Sequence, residues 1–159
     1  MTTTPPSPTS TTVRREVVVA VPADRAFAVF TEQFDRIKPR EHNLLDSPVT
    51  ETVLEPRVGG HIYDRAEDGT ECRWARILAF EPPHRLMFSW DIDVRWTLEP
   101  DPDRCSEVEV TFTPEGDGTR VVLEHRHLDR HGEGWESMSA GVGDESGWPL
   151  YLDRFAGLT

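Results

Sequence analysis

His125 is the residue whose type and neighbours most directly suggest chemistry. It follows Val121 and Leu123 at a spacing of two, so in a strand all three side chains lie on one face. An imidazole among apolar side chains can anchor a ligand or act as a general acid and base. It can equally be a buried histidine that hydrogen-bonds a neighbour. This structural role is the favoured interpretation, because the sequence identifies no catalytic partner.

A second set of polar residues could contact a ligand at the mouth of a cavity. The segment PREHNLL, residues 39–45, contains Arg40 and His42 within a dense polar cluster. Such clusters usually form a solvated surface loop. The alternative is a loop that covers a cavity and offers polar contacts to a ligand. His61 and Tyr63 are weaker candidates for the same contacts.

The sequence predicts neither a metal site nor a cofactor. His127 and His131 are four apart, but Gly132 follows directly, so no convincing helix would align them as ligands. The chain contains no H-E-x-x-H, G-x-S-x-G or Gly-rich phosphate motif. Ser137 and Ser139 lie in a Gly-rich segment without an evident base, so a nucleophilic triad is not expected.

Composition excludes several classes of partner. The chain of 159 residues carries a formal net charge of -12, from 17 basic and 29 acidic side chains. Such a surface repels nucleic-acid phosphates and anionic membranes, so neither is an expected partner. Two cysteines, Cys72 and Cys105, are too few for a disulfide framework. No apolar run reaches membrane-spanning length and the N-terminus lacks a secretory signal, so a cytoplasmic location is expected.

A β-rich scaffold must position the candidate residues. Residues 1–12, rich in Thr, Pro and Ser, predict a disordered tail, and one domain is expected over 13–159. A β-branched run predicts a first strand over 13–21, and apolar residues at helical spacing predict a helix after it. Asp68-Gly69 and Asp117-Gly118 predict hairpin turns. Alternating patterns predict six further strands, over 49–55, 61–67, 71–80, 85–92, 107–113 and 120–128.

The last predicted element is an amphipathic helix. Trp148, Tyr151, Leu152 and Phe155 follow the i, i+3, i+4, i+7 spacing of one helix face. The Gly-rich segment before it, residues 129–147, is compatible with a loop or with a Gly-weakened helix. A sheet of consecutive antiparallel strands has one apolar face that needs cover. We therefore expect an α+β domain in which this helix packs over a curved antiparallel sheet.

Four passages of the sequence resemble one protein superfamily. They are VVVAVPADRAFAVFTE at the first strand and helix, the pair Gly59-Gly60, ILAFEPPHRLMFSW at 77–90, and EVEVTFTPEGDGTRVVLEH followed by GW and LDRF near the C-terminus. In this order they are similar to the helix-grip fold of the START-like, or SRPBCC, superfamily, which includes polyketide cyclases and Bet v 1-like pollen allergens. The closest resemblance is to the family named after the C-terminal domain of the activator of the 90-kDa heat-shock chaperone ATPase. It implies six to seven strands wrapped around a long C-terminal helix.

The resemblance also implies a cavity between the sheet and the C-terminal helix. Segments 37–48 and 129–146 depart from the family pattern and are expected to flank its mouth. The expected lining is aromatic and apolar, with one imidazole: Phe30, Phe34, Trp74, Phe88, Trp90, Phe112, His125, Trp148, Tyr151, Leu152 and Phe155. The alternative is a filled core in which the same side chains pack against one another. Because apolar walls with few polar groups suit small molecules, binding of an apolar or aromatic small molecule is the favoured function.

Two other functions stay open from the sequence. An enzyme of cyclase, dehydratase or hydrolase type would use the same cavity, but it needs two or more ionisable groups that face inward together. A stress-related or chaperone-interacting protein would use an exposed surface instead. Exposed strand edges also permit a homodimer, although no residue specifies one.

Overall fold

Seven strands form one curved antiparallel sheet within residues 10–159, the part of the chain that the computed structural model describes. The strands are β1 (Val13–Val19), β2 (Val49–Leu54), β3 (His61–Ala66), β4 (Glu71–Glu81), β5 (Arg85–Trp90), β6 (Ser106–Glu115) and β7 (Gly118–Arg126). Their spatial order is β1-β7-β6-β5-β4-β3-β2. The predicted α+β class is confirmed. Residues 1–9 of the predicted tail lie outside the described residues.

α-Helices occur in two places along the described chain. They are α1 (Ala23–Glu32) and α2 (Phe34–Ile37) after β1, and α3 (Trp135–Gly143) and α4 (Trp148–Gly157) after β7. The Gly-rich segment that the sequence left open between loop and helix therefore contains α3. None of the helices in residues 10–159 combines the length and the apolar character needed to cross a membrane.

Aromatic side chains join two helices to the inner face of the sheet. Phe27 and Phe30 of α1 pack against Phe112 of β6, with ring centroids 5.1 and 5.8 Å apart. Phe30 also contacts Phe155 of α4, at 5.5 Å. Both α1 and α4 therefore cover the apolar face, whereas the sequence pattern had assigned its centre to the C-terminal helix alone.

The hairpin between β6 and β7 departs by one residue from the predicted turn. The sequence favours Asp117-Gly118 as the turn, but Gly116 and Asp117 connect the strands and Gly118 begins β7. Gly116 supplies the positive φ, +59°. A Cβ at position 118 would lie 2.2 Å from the carbonyl oxygen of Val19. Gly118 therefore allows β1 to approach β7 closely at the start of their pairing.

The inner face of β7 follows the predicted alternation. Val121, Leu123 and His125 are fully buried, each with 0% of its surface exposed. Along the same strand, β1 pairs in an unbroken register from Val13 opposite His125 to Val19 opposite Thr119. The inward orientation predicted for His125 is thus observed.

Candidate functional site

A cavity of about 370 Å³ lies between the sheet and the C-terminal helices. Its border combines β3, β4 and β5 with the loop after α2, the loop after β5 and the junction of α3 with α4. Its apolar lining is Leu44, Trp74, Trp90, Ile92, Trp96, Val142, Trp148 and Tyr151. Its polar and small lining is Lys38, Glu41, His42, Asn43, Asp64, Gly141, Ser146 and Gly147. A volume of this size accommodates a small molecule.

Four aromatic residues form a continuous aromatic wall of the cavity: Trp74 of β4, Trp90 of β5, and Trp148 and Tyr151 of α4. Neighbouring rings meet edge to face, with centroids 5.6, 5.6 and 4.9 Å apart along that order. Edge-to-face contacts are favourable because a positive ring edge meets a negative ring face. Since three elements hold the four rings, the wall offers a rigid apolar surface to a flat molecule.

An ion pair is buried in the lining of the cavity. Nζ of Lys38 lies 3.1 Å from Oδ2 of Asp64, and only 5% and 2% of the two side chains are exposed. The hydroxyl of Thr52 donates to Oδ1 of Asp64 at 2.7 Å, and Nζ of Lys38 also donates to the carbonyl oxygen of His42. These bonds offset part of the cost of removing both charges from water. Burial nevertheless lowers the pKa of Lys38, and Asp64 opposes that shift.

Local sequence explains how the two charges meet. Pro39 disfavours helical geometry in the residue before it, so Lys38 is extended (φ -77°, ψ 125°) and α2 ends there. On β3 the buried residues alternate, and Asp64 takes an inward position between Ile62 and Ala66. Thr52 is its cross-strand partner on β2. The pair therefore joins the loop after α2 to the sheet.

His42 and Tyr151 add two ionisable groups to the same cavity. Their rings stack with centroids 6.3 Å apart and planes inclined by 24°. Burial lowers the pKa of His42, which Glu41 opposes and Lys38 reinforces. Burial raises the pKa of Tyr151 well above its ordinary value. At neutral pH the imidazole is therefore available as a proton acceptor, and the phenol keeps its proton.

Trp96 borders the cavity from the loop after β5. Its backbone has φ +61°, which is unusual for a residue with a side chain, and 47% of the residue is exposed. The carboxylate of Asp93 holds this loop by accepting hydrogen bonds from the backbone N–H groups of Arg95 (2.9 Å) and Thr97 (3.0 Å). The indole lies beside Gly141 of α3, where a Cβ would be 3.6 Å from the ring. A strained loop thus presents an indole to the cavity.

A buried hydrogen-bond chain supports the aromatic wall from behind. Nε1 of Trp148 donates to Nδ1 of His125 at 3.1 Å. Nε2 of His125 and Nε2 of His131 each lie 2.7 Å from the hydroxyl oxygen of Ser106. Because Nδ1 of His125 accepts, its Nε2 carries the proton and donates to Ser106, whose hydroxyl donates onward to His131. Burial holds the pKa of His125 at about 3, so this ring is neutral.

Residues 20–159 match the family described as Activator of Hsp90 ATPase homolog 1-like protein. The chain belongs to this family. The predicted START-like classification and its helix-grip fold are therefore confirmed. A search of curated proteins finds no match to this chain.

Several solved structures are similar to this chain over almost its whole length. The anthrahydroquino-γ-pyrone synthase Txn09, in complex with SUM, is 41% identical over 96% of this chain and 100% of its own, with a TM-score of 0.66. CalC from Micromonospora echinospora, a self-sacrificing resistance protein, is 29% identical over 94% of both chains, with a TM-score of 0.66. A protein from Mesorhizobium loti is 20% identical over 92% of this chain and 95% of its own, with a TM-score of 0.64, and shows the fold alone.

In this family member the predicted lining residues divide between the cavity and the core. Trp74, Trp90, Trp148 and Tyr151 border the cavity. The others lie in the packed core and do not border it: Phe30, Phe34, Phe88, Phe112, Leu152 and Phe155. The physical reason is that α1 packs over β6, so its aromatic side chains meet Phe112 and fill this part of the space, as in the filled-core alternative. His125 lies behind the wall, in contact with Trp148.

Of the residues predicted at the mouth of the cavity, one borders it and the others do not. His42 borders the cavity, together with Glu41 and Asn43 of the same loop. Arg40 lies outside it and forms a surface ion pair with Asp35 at 3.0 Å. His61 and Tyr63 were expected near the cavity, but they alternate with the buried residues of β3 and lie on the opposite face. The guanidinium of Arg73 lies 4.9 Å from the Tyr63 ring there.

Sequence reasoning missed Lys38, Asp64 and Trp96. The available signal for Asp64 was the alternation in HIYDRA: an inward Ile62 requires an inward residue 64. No local signal marks Trp96, because a Trp at positive φ is not a recognisable turn residue. His131, considered as a metal ligand, instead bonds Ser106. Within residues 10–159 no three His, Cys, Asp or Glu side chains converge as a metal site would require.

Proposed function

We propose that this protein binds a flat, oxygenated aromatic molecule in the cavity and catalyses closure of a ring on it. The observation that carries this proposal is the ion pair of Lys38 and Asp64, buried in the lining of the cavity that holds the aromatic wall, beside His42 and Tyr151. An apolar carrier needs no such set of ionisable groups, since burying charges is costly. An enzyme that moves protons during ring closure does need them.

The relative Txn09 supports the reaction class. Its name describes the synthesis of a γ-pyrone on an anthrahydroquinone, and it is 41% identical to this chain over nearly the full length of both. A fused γ-pyrone can form when a phenol oxygen adds to the distal ketone carbon of a neighbouring 1,3-diketone. The new C–O bond gives a hemiketal, which then loses one water as its hydroxyl group leaves together with a proton of the CH2 group between the two carbonyl carbons. The phenol must lose a proton and the ketone oxygen must gain one.

The cavity residues can supply both proton movements. Neutral His42 accepts the phenol proton, since its lowered pKa keeps it unprotonated at neutral pH. Lys38 uses two of its three N–H groups for Asp64 and the His42 carbonyl, which leaves one for a ketone oxygen. Hydrogen-bond donors fixed where negative charge develops are the most effective means of lowering such a barrier. The aromatic wall holds the flat substrate against these groups.

Ring closure of 1-(2-hydroxyphenyl)butane-1,3-dione to 2-methylchromone tests the proposal, because ultraviolet absorbance follows the reaction directly. The wild-type protein should accelerate closure. Lys38→Met and His42→Gln should each reduce the catalysed rate by roughly 100-fold under conditions in which circular dichroism shows the variant to be folded. Tyr63→Phe is the matched control, since Tyr63 lies on the opposite face of the sheet, and it should keep the wild-type rate.

Binding must be measured beside turnover. Quenching of tryptophan fluorescence by 2-(hydroxymethyl)anthraquinone should report occupancy, because four of the five tryptophans border the cavity or form its wall. Saturable binding without any acceleration of ring closure would contradict the catalytic proposal and leave a binding protein. Absence of both would contradict the proposal entirely.

A further inference from the structure

A groove lined only by charged side chains adjoins the cavity, and we call it the arginine groove. Its lining is Asp35, Arg36, Lys38, Arg40, Glu41 and Arg154. Lys38 and Glu41 border both the groove and the cavity. A molecule whose rings lie against the aromatic wall can therefore extend a substituent into the groove.

Two arginines of the groove are not neutralised by carboxylates. Most arginines of this acidic chain form ion pairs, and Arg40 of the groove is paired with Asp35 at 3.0 Å. Lys38 is paired with Asp64. By contrast, Arg36 and Arg154 have no carboxylate oxygen within 4.0 Å among residues 10–159. With Lys38 neutralised by Asp64, the three arginines of the groove outnumber its two carboxylates, Asp35 and Glu41, so a small excess of positive charge is held here against a formal net charge of -12.

Arg154 is also close enough to the cavity to act on it. It follows Tyr151 by three residues on α4, which places both on neighbouring positions of one helix face. Its positive charge contributes to the lowered pKa of His42 and opposes the raised pKa of Tyr151. The electrostatic field of the groove therefore reaches the residues that line the cavity.

We propose that the arginine groove binds a carboxylate on the aromatic substrate, so that the substrate is an aromatic carboxylic acid rather than a neutral compound. Guanidinium groups recognise carboxylates through paired, charge-assisted hydrogen bonds. Arg36 and Arg154 offer such donors at the mouth, while the rings occupy the cavity. This inference rests on the proposed function, because it assigns the substrate of the same cavity.

A pair of probes that share one ring system tests the inference. Anthraquinone-2-carboxylate and 2-(hydroxymethyl)anthraquinone differ chiefly in charge, and quenching of tryptophan fluorescence gives both dissociation constants. The wild-type protein should bind the carboxylate about 10-fold more tightly, a preference that 0.5 M salt should weaken. The double variant Arg36→Gln, Arg154→Gln should lose the preference and keep its affinity for the neutral probe.

Arg25→Gln is the matched control, because Arg25 is an exposed arginine of α1 that borders neither the cavity nor the groove. It removes one positive charge, as each single variant Arg36→Gln or Arg154→Gln does, and unlike them it should keep the full preference for the carboxylate. Equal affinity of the wild type for both probes, or a preference that survives in the double variant, overturns the inference while leaving the proposed function intact. Failure of the wild type to bind either probe overturns the inference, and it overturns the proposed function as well only if ring closure is not accelerated either.

Discussion

The indole N–H of Trp148 donates a hydrogen bond to Nδ1 of His125, 3.1 Å away, and so joins the last helix to the last strand of the sheet. Both residues are almost completely buried. A buried imidazole that accepts at Nδ1 must carry its proton at Nε2, which bonds Ser106. One wall of the cavity is therefore held by a histidine that never enters it.

This bond predicts a particular loss of stability in acid. The pKa of His125 is about 3 in the folded protein, against an ordinary value of 6.5. Between these values the unfolded chain binds a proton that the folded protein excludes. Stability should therefore fall by about 1.4 kcal/mol for each pH unit below 6.5, and above pH 6.5 this residue contributes no slope. Burial also lowers the pKa of His131, which adds to the same loss.

Urea unfolding followed by circular dichroism at pH 7, 6 and 5 measures this slope. The comparison protein is His125→Asn, in which the amide oxygen can accept the Trp148 N–H without titrating. Below pH 6.5, the slope of its free energy of unfolding against pH should be smaller than that of the wild type by about 1.4 kcal/mol per pH unit. Parallel pH profiles for the two proteins would show that His125 does not cause the acid sensitivity.

Substitutions of the buried ion pair should have strongly non-additive effects on the free energy of unfolding. Asp64→Asn removes the counter-charge of Lys38 and should cost about 3–5 kcal/mol of the free energy of unfolding. Lys38→Met should be comparably destabilising because it leaves the Asp64 carboxylate buried. The double variant should cost clearly less than the sum, since neither charge is then left alone. Additive losses in urea unfolding would mean that the two side chains do not interact.

Replacing Trp96 with glycine should raise the stability of the fold and weaken ligand binding. The positive φ of Trp96 costs about 1–2 kcal/mol in a residue with a Cβ, so Trp96→Gly should raise the free energy of unfolding by about 1 kcal/mol. The same variant should bind 2-(hydroxymethyl)anthraquinone about 10-fold more weakly, because the indole borders the cavity. Trp96→Ala keeps the strained backbone and should lose affinity without gaining stability.

Leu98 provides the control for that experiment. It has the same exposure as Trp96, 47%, and lies nearby in the chain, but it does not border the cavity. Leu98→Ala should leave the dissociation constant of the probe unchanged. A similar loss of affinity in both alanine variants would assign the effect to the loop rather than to the indole.

The two cysteines should be chemically inert in the folded protein. Both are buried and free, and burial raises the pKa of Cys72 to about 11 and of Cys105 to about 12. Since the thiolate is the reactive form, Ellman's reagent at pH 8 should label neither residue until the protein unfolds. Labelling in urea should then follow the unfolding transition. Rapid reaction of one thiol in native buffer would contradict this expectation.

The fold could be predicted because its signals are local and repeated. Period-two alternation places His125 inward, and the stripe of Trp148, Tyr151, Leu152 and Phe155 defines the buried face of α4. These patterns depend on geometry that every strand and helix shares. The α+β class followed from them, whereas the helix-grip resemblance was carried by four passages of the sequence in their order.

The candidate site could be predicted only in part, because a cavity depends on what other elements leave unfilled. Phe30 and Phe112 have the composition of a lining but fill the core, since α1 packs over β6. Lys38 and Asp64 are 26 positions apart, and no spacing rule pairs a residue after a short helix with one inside a strand. To predict their ion pair, one would have to know the register of β2 and β3.

Pairing of β1 with β7 has a consequence for biosynthesis. Val13 lies opposite His125, so β1 must wait for more than 100 further residues to be made before its partner strand exists. At ordinary translation speeds of about 5–20 residues per second this delay is roughly 5–20 s. During that time a β-branched strand with unpaired backbone groups is available to other nascent chains. Yield of the folded protein should therefore depend on chaperone supply and on translation rate, as well as on its equilibrium stability.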